Sequence, residues 1–412
     1  AFGSKTVVVG NGGVVLKSAG WNTPSGIMTS GGADLIINQA GAEVGLSFNI
    51  VDNGATPVGL TITGAGSLFI YGPNTYSGDT VMNGVQLKCY SAIPYGVGKG
   101  NLVVNSGGNF DLGGAAVKIN GLASSPMNAG GVVNSSWGSA ITLTLGHGDA
   151  SASYSGYIQS ATLGLIKVGT GTQTLTGINS YGNGTILSNG VLSVSSTNNI
   201  GGAYAKVTFA GGTLRISGTT FNSFGATPLT FTSAGGGVEI ADAGNSFTLT
   251  NNLASGTVLT KTGAGTLTLT GTQAGTVTTD DPSKISFGAG LGFYNLGVTT
   301  NGVLSPAGSG TIGTVAANNN FTLSGKLLVD VTASTNDTVT AGGTITLSTG
   351  ASLEIVNTSL LSRSKRYTLM TAGGAVSGSL TALNLPDRWR VLTVGNTIVL
   401  YYAYPGTMIS IF

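Results

Sequence analysis

The chain is written in short runs where apolar residues alternate with threonine or serine. In Thr266-Leu267-Thr268-Leu269-Thr270 the leucines point one way and the threonines the other, the period of two that marks a half-buried strand. Val85, Leu87 and Cys89 share a face in the same manner. Glycine, asparagine and serine punctuate these runs about every 8–12 residues, where tight corners call for residues that accept positive φ. The pattern predicts an all-β chain of many short strands.

Longer periods organise these strands. Thr63-Gly64-Ala65-Gly66-Ser67-Leu68-Phe69-Ile70-Tyr71-Gly72 returns as Val168-Gly169-Thr170-Gly171-Thr172-Gln173-Thr174-Leu175-Thr176-Gly177 and again as Thr262-Gly263-Ala264-Gly265-Thr266-Leu267-Thr268-Leu269-Thr270-Gly271. Gly64, Gly66, Gly72, Gly169, Gly171, Gly177, Gly263, Gly265 and Gly271 define the repeat. The first two copies continue in step: Asn74, Tyr76, Thr80 and Leu87 recur 105 residues later as Asn179, Tyr181, Thr185 and Leu192. A sandwich has similar strand spacing, but block repeats over 412 residues exceed one sandwich, and no shift of composition separates several. Stacked coils fit, because each coil buries its apolar face only against its neighbours. At roughly 20–25 residues per coil, a parallel β-helix is expected over residues 1–330, finished by a β-rich cap and assembly section over 331–412. Threonine and asparagine on the coil exteriors are expected to stack in ladders.

Composition narrows the class. The chain holds 70 Gly, 42 Ser, 55 Thr and 31 Asn, while charged residues reach only 7% against 41% hydrophobic. Disorder requires low hydrophobicity and high net charge, and neither is present. A net charge of +2 gives no field for nucleic acid. Good helix formers are too scarce for a bundle. The single cysteine, Cys89, cannot close an intrachain disulfide and reads as a small buried hydrophobe. The start at Ala1 suits a mature protein freed of a signal peptide. No apolar run is long enough for a transmembrane helix.

The three glycine blocks, the continuations Asn74-Thr75-Tyr76-Ser77-Gly78-Asp79-Thr80 and Asn179-Ser180-Tyr181-Gly182-Asn183-Gly184-Thr185, and the lead-ins Leu165-Ile166-Lys167 and Leu259-Thr260-Lys261 resemble autotransporter-associated β-strand repeats. Residues 302–313 and 321–331 resemble the passage that ends such repeat regions. The resemblance covers most of the chain and implies a right-handed β-helix on the bacterial surface or outside the cell. Autotransporters also carry a C-terminal translocator barrel, for which these 412 residues leave no room. A passenger fragment or a stand-alone secreted relative is therefore expected.

Candidate chemistry is sparse. His147 is the only histidine, and nothing selects a partner for it among the serines. One His and one Cys do not make a zinc site. Asp280 and Asp281 are adjacent but precede Pro282 and read as a turn. Trp21, Trp137 and Trp389 are dispersed, and five Asn-x-Ser/Thr sequons are no more than this composition generates by chance. Arg363-Ser364-Lys365-Arg366 is the one basic cluster, with Arg388 and Arg390 following; solvated turn residues are the expectation, an anchor for acidic glycans or headgroups the alternative. No cofactor or catalytic residue is expected. The leading reading is a secreted structural subunit that associates with itself into a fibre or coat, through open strands carrying Val7, Val9, Leu400, Tyr402, Ile409 and Ile411. The alternatives are a monomeric adhesin that binds extracellular polysaccharide and, less favoured, a polysaccharide-degrading β-helix enzyme.

Overall fold

The computed structural model describes residues 6–10, 13–17, 25–89, 93–126, 129–201, 206–225, 227–270, 274–279, 285–287, 295–298, 303–306 and 312–405. Among them the regular structure is strand, with three short 3₁₀ turns at His147–Asp149, Thr197–Ile200 and Thr358–Leu360. No described helix is long and apolar enough to cross a membrane. Two compact units are present, Ala1–Thr232 and Ser233–Phe412, and each is a parallel β-solenoid.

In the first unit one sheet holds nine strands, from Thr6–Val9 to Ser180–Tyr181, and two others hold six each. Neighbours in a sheet are one coil apart in sequence. Leu60 lies opposite Thr80, and Thr80 opposite Leu102, steps of 20 and 22 residues. Each strand thus returns in the same direction one rung further on, which is why the pairing is parallel. The alternation read in the sequence becomes columns. Val44, Leu68, Leu87, Phe110, Val133 and Ile158 stack in register, and the last five are at most 1% exposed. Burying each contributes about 1.5–3 kcal/mol.

The second unit contains seven parallel strands from Gly236–Ile240 to Val376–Ser377. Its steps run from 18 residues, Val258 opposite Thr276, to 31, Ile345 opposite Val376. Parallel stacking continues well past residue 330. It stops where Thr397–Tyr402 pairs antiparallel with Tyr367–Ala372 on one side and with Trp389–Val394 on the other. Gly395, with φ of 58°, makes the turn between the last two strands.

This arrangement changes one expectation. Leu400 and Tyr402, anticipated on an open terminal strand, lie in an interior strand with hydrogen-bonded neighbours on both sides. The described edges of that sheet are Thr314–Ala317 and Trp389–Val394. Val7 and Val9 lie on Thr6–Val9, which pairs with Ser25–Ser30, and Val9 is buried. Ile409 and Ile411 lie outside the described residues, as do Gly271, Trp21, Asp280 and Asp281.

Candidate functional site

The repeated residues act first on the coil corners. Gly64, Gly169 and Gly263 hold equivalent corners at φ of 112°, 65° and 81°, a region costly for any side chain. A Cβ on Gly169 would overlap the carbonyl oxygen of Gly146, and one on Gly177 that of Gly156, one coil back. The corners of successive coils therefore approach more closely than any residue but glycine permits. The same obstruction from the preceding coil stands at Gly66, Gly72, Gly171 and Gly265.

Two lysines in the lead-ins join these corners. Lys167 is 1% exposed, and its ammonium donates to the carbonyls of Val168, Gly169 and Asn189 at 2.5, 3.1 and 3.4 Å. Burial pushes this amine down to about 8, against the opposing charge of Asp149. Lys261, at the equivalent position, is fully buried and donates to the carbonyl of Gly263. The first copy carries buried Ile62 there. A lysine before Gly-x-Gly is visible in the sequence; its inward orientation is not.

The Asn-x-Tyr continuation stitches coils together. The Asn74 side chain accepts a hydrogen bond from Ile50 N at 3.0 Å, and Asn179 accepts from Ile158 N at 2.8 Å. Tyr76 and Tyr181 fill the core, and their hydroxyls meet those of Thr80 and Thr185 at 2.5 and 2.7 Å. The threonines, which occupy interior columns, are thereby satisfied. These residues build the scaffold.

What the scaffold offers to solvent is rows of neutral polar groups. Hydroxyls meet between coils at Thr208–Thr230 and Thr260–Thr278, both 2.9 Å, and at Thr314–Thr338, 2.7 Å. In the second unit Thr260, Thr278, Gly297, Thr322 and Thr346 stand in one outward column. Beside it the Asn295 side-chain oxygen accepts from Asn320 N at 3.0 Å and Asn319 Nδ2 at 3.1 Å, and Asn320 accepts from Thr344 N and Oγ1. Gly297 interrupts the threonine column. A groove of about 570 Å³ opens there, lined by Thr276, Thr278, Asn295, Thr322 and Ser324 around Gly297. No charged side chain lines it among the described residues. It can offer hydroxyl and amide hydrogen bonds to a neutral, hydroxyl-rich ligand. Composition alone did not single out this place; the glycine breaking alternation in Asn295-Leu296-Gly297-Val298 was the available signal.

The chemistry-bearing residues are dispersed. His147 packs on Tyr95, ring centroids 4.8 Å apart, and its Nε2 is buried without a hydrogen-bond partner. Burial, then the Lys118 charge, lowers its pKa and keeps it neutral near pH 7. The neighbouring Asp149 carboxylate accepts from Thr170 N at 2.7 Å, across one coil step. Arg363, Lys365, Arg366, Arg388 and Arg390 are exposed, while Trp389 is buried.

The glycine-cornered repeats of this parallel solenoid are similar to repeats of known proteins. The family described as Passenger-associated-transport-repeat matches residues 60–85, 165–194 and 259–279, the three copies above. The Adhesin BmaC autotransporter of Brucella suis biovar 1 (strain 1330) is similar, 30% identical over 260 residues, which is 58% of this chain and 7% of that protein. The chain thus spans a small fraction of that relative's length. Its repeats are like those of autotransporter passengers, and both matches point to secretion and the cell surface.

Proposed function

We propose that the chain is a non-catalytic stretch of a surface-displayed adhesin, whose outward ladders hydrogen-bond a neutral polysaccharide. The observation that carries this reading is the groove at Gly297, where adjoining columns of threonine and asparagine open into a cleft with no charged side chain among the described residues. Similarity to an adhesin supports it. The non-catalytic part is supported by the similarity to passenger repeats and to an adhesin. The test is Gly297→Thr. Its backbone lies outside the left-handed region, and the new Cβ would meet only the Cγ2 of Thr278 closely, at 2.9 Å. The variant should fold, fill the cleft and lose binding on an array of neutral glycans. An array on which the parent chain binds no neutral glycan would refute the reading.

A second reading, association of copies into a fibre or coat, is supported by the outer edge of Trp389–Val394, unpaired among the described residues and bearing exposed Val394. Arg390 on the same strand opposes it. Electron microscopy of concentrated protein decides; single-chain particles alone would exclude assembly.

A further inference from the structure

The chain's positive charge is concentrated at one place that the neutral ladders do not use. Five of its 16 Lys and Arg fall between residues 363 and 390, with Asp387 the only acid among them. That stretch carries a net charge of +4 while the whole chain carries +2, so the remainder is net negative. Arg363, Lys365, Arg366, Arg388 and Arg390 are all exposed. The local ion pair found among the described residues is loose, Arg388 to Asp387 at 3.8 Å.

Aromatic rings hold part of this cluster in place. The Arg363 guanidinium lies 5.1 Å over the Tyr402 ring. Tyr402 meets Trp389 and Tyr404 edge-on, at 5.7 and 5.1 Å. The Tyr404 hydroxyl donates to the Arg363 carbonyl at 3.0 Å, and Ala403 N donates to the Arg388 carbonyl at 2.8 Å. The turn carrying Arg363, Lys365 and Arg366 is thus tied to Tyr402 and Tyr404, and Ala403 between them is tied to Arg388. Arg388 itself is held at φ of 68°, a conformation that glycine would adopt without strain and arginine does not. Tyr404 remains 53% exposed. Hydroxyls stand among the cations, with Ser362 and Ser364 3.0 Å apart.

We propose that Arg363, Lys365, Arg366 and Arg388, with the open ring of Tyr404, form a binding surface for an acidic polysaccharide. Guanidinium and ammonium groups pair with carboxylates, the exposed ring offers a flat apolar face to a sugar, and the serine hydroxyls serve sugar oxygens. A lipid surface is the poorer fit, because hydroxyls rather than bulky apolar side chains separate the cations. This site is independent of the groove at Gly297, so either can fail alone.

The test uses the full chain and immobilised polygalacturonate. Binding should weaken steeply with added salt, since it releases counterions. The triple variant R363Q/K365Q/R366Q should lose at least about tenfold in affinity and flatten the salt dependence. Its circular dichroism and melting should match the parent, because the three side chains are exposed. Tyr404→Ala keeps every cation and should still lose several-fold on polygalacturonate. Equal affinity of parent and triple variant would overturn the proposal. So would full retention of binding by Tyr404→Ala, which would leave charge attraction alone. Tighter binding to vesicles of phosphatidylglycerol and phosphatidylcholine than to polygalacturonate would reassign the surface to membranes.

Discussion

The buried pair of Tyr181 and Thr185 offers a sharp test of how the coils are held. Tyr181 is fully buried and Thr185 is 2% exposed, with their hydroxyls 2.7 Å apart. Tyr181→Phe strips the partner from a hydroxyl that water cannot reach, at a cost of about 1–3 kcal/mol. Thr185→Val does the same to the phenol, with a similar cost. The double variant removes both polar atoms and keeps the shape, so it should lie within about 1 kcal/mol of either single variant. Urea unfolding followed by circular dichroism at neutral pH measures all four proteins. The reasoning also fixes a pH dependence. Burial raises the Tyr181 phenol well above its ordinary range. Its neutral form is therefore favoured in the fold, and the stability it gives is full below pH 10 and lost as pH rises above it. Tyr181→Phe should lose less stability than the parent on going above pH 10. Strictly additive single effects, with no coupling, would refute the account.

Other expectations follow from the corners and the buried cation. Gly169→Ala combines positive φ with overlap on Gly146 and should cost more than about 2 kcal/mol, whereas Gly218→Ala, at φ of 74° with open space around it, should cost about 1–2 kcal/mol; thermal melts compare them. Lys167, held down at about 8, is destabilising when charged, so the fold should gain about 2 kcal/mol between pH 8 and 10, and Lys167→Met should flatten that rise in chemical denaturation. The buried Gln173 amide accepts from Leu122 N and donates to Leu122 O at 3.0 and 2.8 Å, 51 residues away; Gln173→Leu orphans both groups and should cost about 2–4 kcal/mol by urea titration.

Much of this fold was legible in the residues. Alternation such as Thr266 to Thr270 became columns with leucine inside and threonine outside. The 105-residue echo of Asn74, Tyr76 and Thr80 marked equivalent places in two coils. What those residues do there was hidden, because an asparagine bonding the coil before it and a tyrosine bonding a threonine are relations across rungs. The inward orientation of Lys167 and Lys261 was hidden for a related reason, since the carbonyls their ammonium groups meet lie at the coil corners. The groove at Gly297 depends on three strands brought together from 276, 295 and 321. The terminal strands were read as an open edge although Gly395-Asn396 is a hairpin signal. Following it would have paired Leu400 with Val391.

The reversal of direction at residues 389–402 bears on how such chains vary in length. Only Thr397–Tyr402 runs against the coils; Trp389–Val394, antiparallel to it, takes up the direction of Tyr367–Ala372 again at the edge, so the hairpin inserts one reversed strand without a coil of its own. Coils could be duplicated or deleted upstream, as the likeness of residues 63–87 and 168–192 suggests has happened, while this hairpin stays as it is. Reach and finish would then be inherited separately, the first by counting repeats and the second by conserving one bend.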